Sequence, residues 1–470
     1  MSASSAAPAT GRASSRGVPL QGGALRDALY RAVWRWHFYA GLLCLPFLIL
    51  LSATGSVYLF KDEINRTLFA YRTVVPVRAT PPLSPERLIF IAAEAVPDAA
   101  PKTFASPDAP DRAAIVTMAG PQGRTLVYLD PYDGAVLDRV GRDAEAMMVV
   151  RRLHSLAYFG PVANGLIEVV AGFTVILVLS GIYLWWPRGQ GGGVVTVRGT
   201  PRRRVWWRDL HAVTGFVAGA GLLFLATTGL PWSILWGDQV RAISNRAGLG
   251  QPSALWARVP VSTVPMGEVL DTAGWALEAA PLPRSEGRSP GRDGVPIGID
   301  RAVAIMTGLG MPAGYELALP EGPAGVYAAA AYPRDVTRQR MITLDQYSGR
   351  PLVDVRFGDI GLVGRGIQYG IGLHKGELAG RVNQLLMLAF CLATILLAAS
   401  AAVMWWKRRP AGRLGVPPWP RDRRVVGGVT GIVVALGIVF PLTGLAILAM
   451  IALDAAFMGL RRTSRRPAAA

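Results

Sequence analysis

The chain has 470 residues, of which 51% are hydrophobic and only 17% are charged, and its mean hydropathy is +0.33. This hydropathy is too high for a water-soluble globular protein of this length and indicates segments that lie in lipid. The formal net charge of +18 could by itself point to nucleic acid or to an anionic surface as partner. Only two cysteines occur, each inside an apolar run, which argues against a disulfide framework and against a cysteine-ligated metal site.

Five apolar runs are long enough to cross a hydrocarbon core of about 30 Å, which takes a helix of about 20 residues. They cover residues 37–60, 164–186, 210–236, 382–406 and 425–453. The first is expected to stay as an anchor, because its apolar run is too long for a cleaved signal peptide. The last is interrupted by Pro441 and Gly444 and is predicted as one kinked span, although two half-helices that return to the cytoplasm are the alternative.

Basic residues in the short connectors predict the orientation. Residues 1–36, 187–209 and 407–424 together carry 18 basic side chains and three acidic ones, whereas the long connectors 61–163 and 237–381 are nearly balanced. Because basic loops tend to stay in the cytoplasm, the short connectors are predicted to be cytoplasmic and the long ones periplasmic. Topology then explains the positive charge, and a nucleic-acid partner is excluded.

The sequence repeats itself in two halves, and the repeat contains every histidine of the protein. His37 and His211 each precede a glycine by four residues and a Thr-Gly pair by 17, whereas His154 and His374 each lie 31 residues before a Trp-Trp pair. Each half is therefore predicted to be a helix, a large outer domain and a returning helix. This arrangement places His37 and His211 near the cytoplasmic face and His154 and His374 near the periplasmic face.

Two facing imidazoles near each membrane face suit the axial positions of a b-type haem held between helices. Zinc is disfavoured because no Asp, Glu or Cys accompanies these histidines at equivalent positions of the repeat. A c-type haem is excluded because the sequence contains no C-x-x-C-H. Occupation of both axial positions would favour electron transfer over oxygen chemistry. The alternative is that each histidine is an interfacial side chain at a helix end.

Other residues of the apolar runs have simpler interpretations. Gly41 and Gly215, four residues after a histidine, either clear room for a flat macrocycle or pack helices together. Glu168 is expected to be an interfacial carboxylate rather than a proton relay. The three Trp-Trp pairs are expected to form an aromatic belt at the lipid interface.

Both long connectors are predicted to fold as small α+β modules. Each shows one helical stretch followed by alternating strand-like runs, and each closes with a tight turn, at residues 130–134 and 345–349. The tyrosines of these turns, Tyr132 and Tyr347, could line a substrate pocket but are expected to pack on their own sheets.

The segments YLDPYDGAVL and TLDQYSGRPL, together with RWHFYAG, RDLHAVTG and two WW helix ends, resemble the PepSY-associated transmembrane proteins over roughly residues 30–410. These are bacterial inner-membrane proteins linked to iron uptake, and some of them act as ferric-siderophore reductases. The resemblance implies PepSY-like periplasmic domains and haem b on the membrane histidines. It also implies a periplasmic site at which a ferric chelate is reduced and iron is released.

The expected architecture is an α-helical transmembrane bundle of five spans, four of them in a duplicated core, with two periplasmic α+β PepSY-like domains. Its predicted parts are a cytoplasmic tail (1–36), TM1 (37–60), domain 1 (61–153), TM2 with its lead-in (154–186), a cytoplasmic loop (187–209), TM3 (210–236), domain 2 (237–373), TM4 with its lead-in (374–406), a cytoplasmic loop (407–424), TM5 (425–453) and a C-terminal tail (454–470).

The predicted function is transmembrane electron transfer through two haems b, one on His37 and His211 and one on His154 and His374, to a periplasmic ferric siderophore or other ferric chelate. The cytoplasmic connectors are too short for a nucleotide-binding βαβ unit of about 30 residues, so the donor is expected to be quinol or a separate cytoplasmic reductase. The alternative function is that of a haem-free membrane module for binding, sensing or assembly.

Overall fold

The computed structural model describes residues 22–188, 192–286, 294–411, 415 and 422–463. Its helices and strands follow in the order α1 (Gly22–Tyr58), α2 (Lys61–Thr67), α3 (Ala70–Thr73), α4 (Pro85–Ala95), β1 (Ala100–Ala105), β2 (Ala114–Gly120), β3 (Gly123–Leu129), β4 (Val136–Gly141), α5 (Ala146–His154), α6 (Pro161–Trp185), α7 (Arg204–Gly229), α8 (Leu235–Arg246), β5 (Val261–Pro265), α9 (Met266–Val269), β6 (Pro281–Pro283), α10 (Ile299–Gly308), β7 (Glu316–Ala318), β8 (Val326–Ala331), β9 (Arg340–Asp345), β10 (Pro351–Arg356), α11 (Leu362–His374), α12 (Gly380–Arg408), α13 (Arg423–Val439) and α14 (Pro441–Thr463).

Four helices within the described residues, α1, α6, α7 and α12, are long and apolar enough to cross a membrane. They form a closed ring in which α1 and α7 each contact both α6 and α12. We call the end of this bundle next to the β-sheet the sheet end and the opposite end the far end. The first helix already includes residues 22–36, ahead of the apolar run predicted from residue 37, and Ala28 and Ala32 in this part are buried against α13. Residues 1–21 of the expected tail lie outside the described residues.

The fifth apolar run is a pair of helices instead of the single kinked span expected over residues 425–453. The helix stops before Pro441, which has no N–H to donate to the carbonyl of Gly437. The chain then reverses so tightly that a Cβ built on Gly437 would lie 3.0 Å from the Cα of Gly444. The alternative that the sequence left open, two helices that return to the same side, is the one observed.

The packing of this hairpin shows its direction. The start of α13 is buried against Ala28 and Ala32 near the far end, and Thr443 at the start of α14 lies against Gly172, within α6. Ile447 then packs beside Ile176, farther along α6, so α14 runs back toward the far end. Residues 464–470 lie outside the described residues.

The two long connectors share one β-sheet, which differs from the two separate domains expected over residues 61–153 and 237–373. Eight strands lie in the order β10-β9-β8-β7-β1-β2-β3-β4, and antiparallel pairing of β1 with β7 joins the halves. In separate modules β1 and β7 would both be edge strands with unpaired backbone groups, and joining them satisfies those groups. The order is the same when it is read outward from the central β1–β7 pair, so the sheet preserves the sequence repeat.

One face of the sheet is covered by α4 and α10, whose buried side chains include Leu88 and Met306. The second half is also covered on its other face, by the segment between α8 and β6, in which Trp275 is 1% exposed. All six residues of β8 are therefore buried, which explains why this strand reads as a continuous apolar run. The Trp275 Nε1–H donates to the carbonyl of Pro231 at 2.7 Å and ties this layer to the end of α7.

A buried carboxyl group lies at the junction of the two halves. Glu316, the first residue of β7, pairs with Ala105 of β1. Its Oε2 accepts hydrogen bonds from the backbone N–H and the hydroxyl of Thr272, at 3.2 and 3.0 Å. Burial, followed by the nearby charge of Asp271, raises the pKa of Glu316 to about 7.

Candidate functional site

The structure brings the four histidines together in two pairs, one at each end of the bundle. The ring centres of His37 and His211 lie 6.4 Å apart with their planes at 85°, and those of His154 and His374 lie 6.3 Å apart at 83°. We call them the far-end pair and the sheet-end pair. Each pair takes one residue from each half of the sequence repeat.

The two pairs are positioned in different ways. His37 and His211 lie within α1 and α7, near the far end of the bundle. His154 and His374 are the last residues of α5 and α11, the short helices that lead from the sheet into α6 and α12. After His154 the chain turns through Leu156, the one described non-glycine residue with a positive φ, at 54°. This turn lets α5 end beside α1 before α6 begins.

Every Nδ1 atom of the four histidines has a partner on a neighbouring helix. His37 Nδ1 lies 2.8 Å from Ser180 Oγ, and His211 Nδ1 lies 3.1 Å from both Ser400 Oγ and the Leu397 carbonyl oxygen. At the sheet end, the partners are Thr54 Oγ1 for His154, at 3.0 Å, and Thr228 Oγ1 for His374, at 2.8 Å. The four hydroxyl residues occupy equivalent positions in the repeat, since each threonine precedes the glycine of a Thr-Gly pair and each serine lies five residues before a Trp-Trp pair.

These contacts determine which ring nitrogen carries the proton. Thr54 and Thr228 each donate their hydroxyl hydrogen to a carbonyl of their own helix at 2.7 Å, and Ser180 does so at 2.5 Å. An oxygen that donates in this way can only accept from the imidazole, which assigns the proton of the facing histidine to Nδ1. For His211 the proton is also assigned to Nδ1, because the carbonyl oxygen of Leu397 beside it can only accept a hydrogen bond. In this assignment the lone pair of each ring is on Nε2.

The separation of the two ring centres in each pair suits a single metal ion between the imidazoles. A metal–imidazole bond of about 2.0 to 2.1 Å, with the ring centre about 1.1 Å beyond the nitrogen, gives about 6.3 Å between two ring centres. Both observed separations agree with this value. No group of three or more His, Cys, Asp or Glu residues that could hold a metal ion occurs in the part of the chain that the structure describes. The donor set is thus two imidazoles, which suits axial ligation better than a tetrahedral site.

Small residues flank the imidazoles. A Cβ built on Gly55 would lie 3.3 Å from Cε1 of His154, and one on Gly181 would lie 3.3 Å from Cε1 of His37. Each of these glycines directly follows a hydroxyl residue that holds the ring. The glycines singled out from the sequence have a different role: a Cβ on Gly41 or Gly215 would meet a leucine of the neighbouring helix at 3.7 or 3.5 Å, which is ordinary helix packing.

The two pairs are separated by most of the length of the bundle. His37 and Thr54, which binds the sheet-end pair, are both in α1, and His211 and Thr228 are both in α7. Each separation is 17 residues. At 1.5 Å per residue this corresponds to about 25 Å along the helix axis, close to the thickness of a hydrocarbon core.

A lysine cluster, formed by Lys61, Lys375 and Glu377, adjoins the sheet-end pair. Lys375 directly follows His374, and both ammonium groups contact the carboxylate of Glu377, at 2.6 Å from Lys61 and 2.9 Å from Lys375. Burial alone would raise the pKa of Glu377, but the charges of the two lysines outweigh it and lower this pKa. The sequence analysis did not identify this cluster, because its members come from separate parts of the chain.

Three other residues have structural roles. Glu168 is fully buried, and its Oε2 accepts the N–H groups of Leu235 and Trp236 at 3.0 Å, so it caps α8 instead of lying at the lipid interface as expected. The hydroxyl groups of Tyr132 and Tyr347 each donate to a backbone carbonyl at 2.9 Å. Each tyrosine therefore joins its turn to a neighbouring loop, through Pro110 and Pro323.

The comparison with protein families agrees with this architecture. The family described as "PepSY-associated TM region" matches residues 34–408. This range contains the four histidines, the four hydroxyl residues that orient them and the whole eight-stranded sheet, whereas the C-terminal hairpin lies beyond it. No curated protein matches the sequence.

Proposed function

The chain belongs to the family defined by the PepSY-associated TM region, and on this premise we propose that it is a transmembrane b-type haem protein of the bacterial inner membrane. It passes electrons across the membrane and reduces a periplasmic ferric chelate, such as a ferric siderophore, so that iron is released. In this proposal the protein is a ferric-chelate reductase.

One observation carries the proposal: the four histidines lie in two pairs whose ring centres are 6.4 and 6.3 Å apart, and every Nδ1 has a hydrogen-bond partner on a neighbouring helix. His37 and His211 would hold one haem, and His154 and His374 would hold the second. When bound between these imidazoles, a haem would supply one-electron transfer. The hydroxyls of Ser180, Ser400, Thr54 and Thr228 hold each ring in the required tautomer.

The distribution of basic residues supports the direction of transfer. The connectors at the far end carry the excess of arginine and lysine, so the far-end pair would lie toward the cytoplasm and the sheet toward the periplasm. Electrons would enter at the far end from membrane quinol or from a separate cytoplasmic reductase. They would leave beside the sheet, where a soluble ferric chelate has access.

The proposal is tested first by haem content. The purified full-length protein should contain close to two haems b per chain by quantitative haem assay, with sharp α and β bands after dithionite reduction. A colourless protein from haem-replete cells would refute the proposal and favour a haem-free binding, sensor or assembly module.

The second test separates the two ends. His154→Ala and His374→Ala should each lower haem content to about one per chain and abolish ferric-chelate reduction, because each removes one of the two imidazoles that would hold the sheet-end haem. His37→Ala should remove the far-end haem instead and leave the sheet-end spectrum. Full reductase activity in both sheet-end variants would contradict the proposed path.

A further inference from the structure

Two ammonium groups meet around one carboxylate beside the sheet-end pair. The side chains of Lys61 and Lys375 are only 26% and 23% exposed, and that of Glu377 is 13% exposed. The lysine cluster therefore has two positive charges and one negative charge in a mostly buried position. An unbalanced charge is costly there unless a second anion offsets it.

The nearest acidic side chains already have other partners. Asp62 and Glu63 follow Lys61 in α2, but Asp62 pairs with Arg334 and Glu63 pairs with Arg381 at 2.5 Å. Asp62 also attracts both lysines. With Arg334 and Arg381 included, the network has four basic and three acidic side chains and so retains one excess positive charge.

Both ammonium groups retain hydrogen-bond donors. Each has three N–H bonds, of which one is directed to Glu377. Lys61 Nζ also lies 5.3 Å from the ring centre of Tyr58, and Lys375 Nζ lies 5.3 Å from that of Tyr332. Ring faces attract the cations but do not replace an acceptor, so each lysine can still donate to a second carboxylate.

The backbone fixes the cluster next to the histidines. Gly376, between Lys375 and Glu377, has φ of +71°, and a Cβ there would lie 2.8 Å from a methyl carbon of Leu59 and 3.0 Å from the Cα of Gln384. Only glycine fits this turn, which is wedged between the end of α1 and the start of α12. This turn therefore holds the backbone of Lys375 and Glu377 between α1 and α12, beside the sheet-end pair.

We propose that Lys61 and Lys375, bridged by Glu377, form a carboxylate-binding site at the sheet end. Building on the proposed function, the carboxylate comes either from a propionate group of the haem on His154 and His374 or from a ferric chelate that carries carboxylates. Both sources present the same chemistry to the two lysines.

The test uses variants that change the charge of the cluster in opposite directions. Lys61→Met with Lys375→Met leaves Glu377 alone and should weaken carboxylate binding at least about tenfold, because two charge-assisted hydrogen bonds are lost. Glu377→Gln raises the net charge and should strengthen the binding. A residue cluster with a purely structural role would be impaired by both changes. Each single lysine variant is included in case the double variant does not fold, and Lys102→Met, which breaks an exposed pair with Glu321, is the matched control.

Two measurements distinguish the sources. In the first, haem or haem dimethyl ester is loaded into the full-length protein, and release of the sheet-end group to a haem acceptor is followed by absorbance. Faster release of haem from the double lysine variant, with little change for the ester, identifies a propionate. In the second, binding of ferric citrate and of a neutral ferric hydroxamate is measured by calorimetry. A loss confined to citrate identifies the chelate.

Either selective loss supports the carboxylate site. Release and binding within twofold of wild type in the double variant would overturn it, as would equal losses for the carboxylate and the carboxylate-free probe. A wild-type protein that binds no haem refutes the proposed function separately, and citrate binding alone then decides the site.

Discussion

Thr228 offers the sharpest test of how the imidazoles are held. Its Oγ1 accepts the Nδ1–H of His374 at 2.8 Å and donates to its own helix at 2.7 Å. Thr228→Val removes the acceptor but keeps the methyl group that packs 3.1 Å from the Cβ position of Gly370. The shape of the helix contact is therefore preserved while the imidazole loses its partner.

The expected size of the effect follows from the lost hydrogen bond. A donor left without a partner costs about 1 to 3 kcal/mol, which corresponds to a loss of affinity of roughly 5- to 150-fold. Loss of a partner that orients a metal-bound histidine typically costs about 10- to 100-fold. If the pairs hold haem as proposed, the sheet-end haem should dissociate about 10 to 100 times faster in Thr228→Val, whereas the far-end haem is retained as in wild type.

The neighbouring residue provides a matched control. Thr227 is exposed, and its hydroxyl bonds only to carbonyls of its own helix, at 2.9 and 3.1 Å. Thr227→Val makes the same chemical change one residue away and should leave both haems in place, and Thr228→Ser should restore retention because it returns the hydroxyl. The assay is the rate of haem transfer to an acceptor protein, followed by absorbance. Equal rates for the two valine variants would refute the hydroxyl–imidazole reasoning.

Other outcomes follow from contacts elsewhere in the chain. Ser180→Ala should weaken haem retention at the far end more than Ser400→Ala, because His211 keeps the carbonyl of Leu397 as acceptor whereas His37 loses the hydroxyl that orients it; equal losses in the haem-release assay would contradict this. Because the folded-state pKa of Glu316 is about 7 against an ordinary 4.5, its carboxyl group binds a proton more tightly in the folded protein, so stability falls as pH rises from about 4.5 to above 7. Glu316→Gln should flatten the pH dependence of the melting temperature in this window, and an unchanged slope would exclude Glu316 as its cause. The returning hairpin predicts that a reporter fused to the C-terminus lies in the cytoplasm: a fluorescent protein should fluoresce and alkaline phosphatase should be inactive there, whereas the reverse would indicate a complete fifth crossing.

The sequence predicted the family correctly, and four of its five apolar runs correspond to the four long helices of the bundle. Length and hydropathy suffice for such helices because a membrane span must satisfy its own backbone hydrogen bonds. The fifth run was misjudged because hydropathy averages over a helix break. The decisive details were local: Pro441 lies four residues after Gly437, and the pair Gly437 and Gly444 permits the two helices to touch.

The joining of the two outer modules could not be read from the strand patterns. Alternation within β1 or β7 shows which side of a strand is buried, but it does not identify the partner strand across about 200 intervening residues. The positions of the four hydroxyl residues, by contrast, were visible in the sequence repeat. Thr54 and Thr228 stood out in the repeat as Thr-Gly pairs, and Ser180 and Ser400 share their distance to a Trp-Trp pair. Their role became visible only when neighbouring helices placed them against Nδ1.

In each histidine pair, contacts within one half of the repeat orient the rings, and contacts between the halves set the distance between them. Each imidazole is oriented within its own half: Thr54 of the first half holds His154, and Thr228 of the second half holds His374. The distance between the two rings of a pair, however, is set by contacts between the halves. In the bundle, α1 contacts α12 and α6 contacts α7. In the sheet, β1 pairs with β7. Two identical copies of one half, related by a two-fold axis, would produce the same two pairs. The fused chain keeps that geometry and leaves each half free to differ elsewhere, which is why the lysine cluster occurs beside His374 while the equivalent position after His154 is a serine.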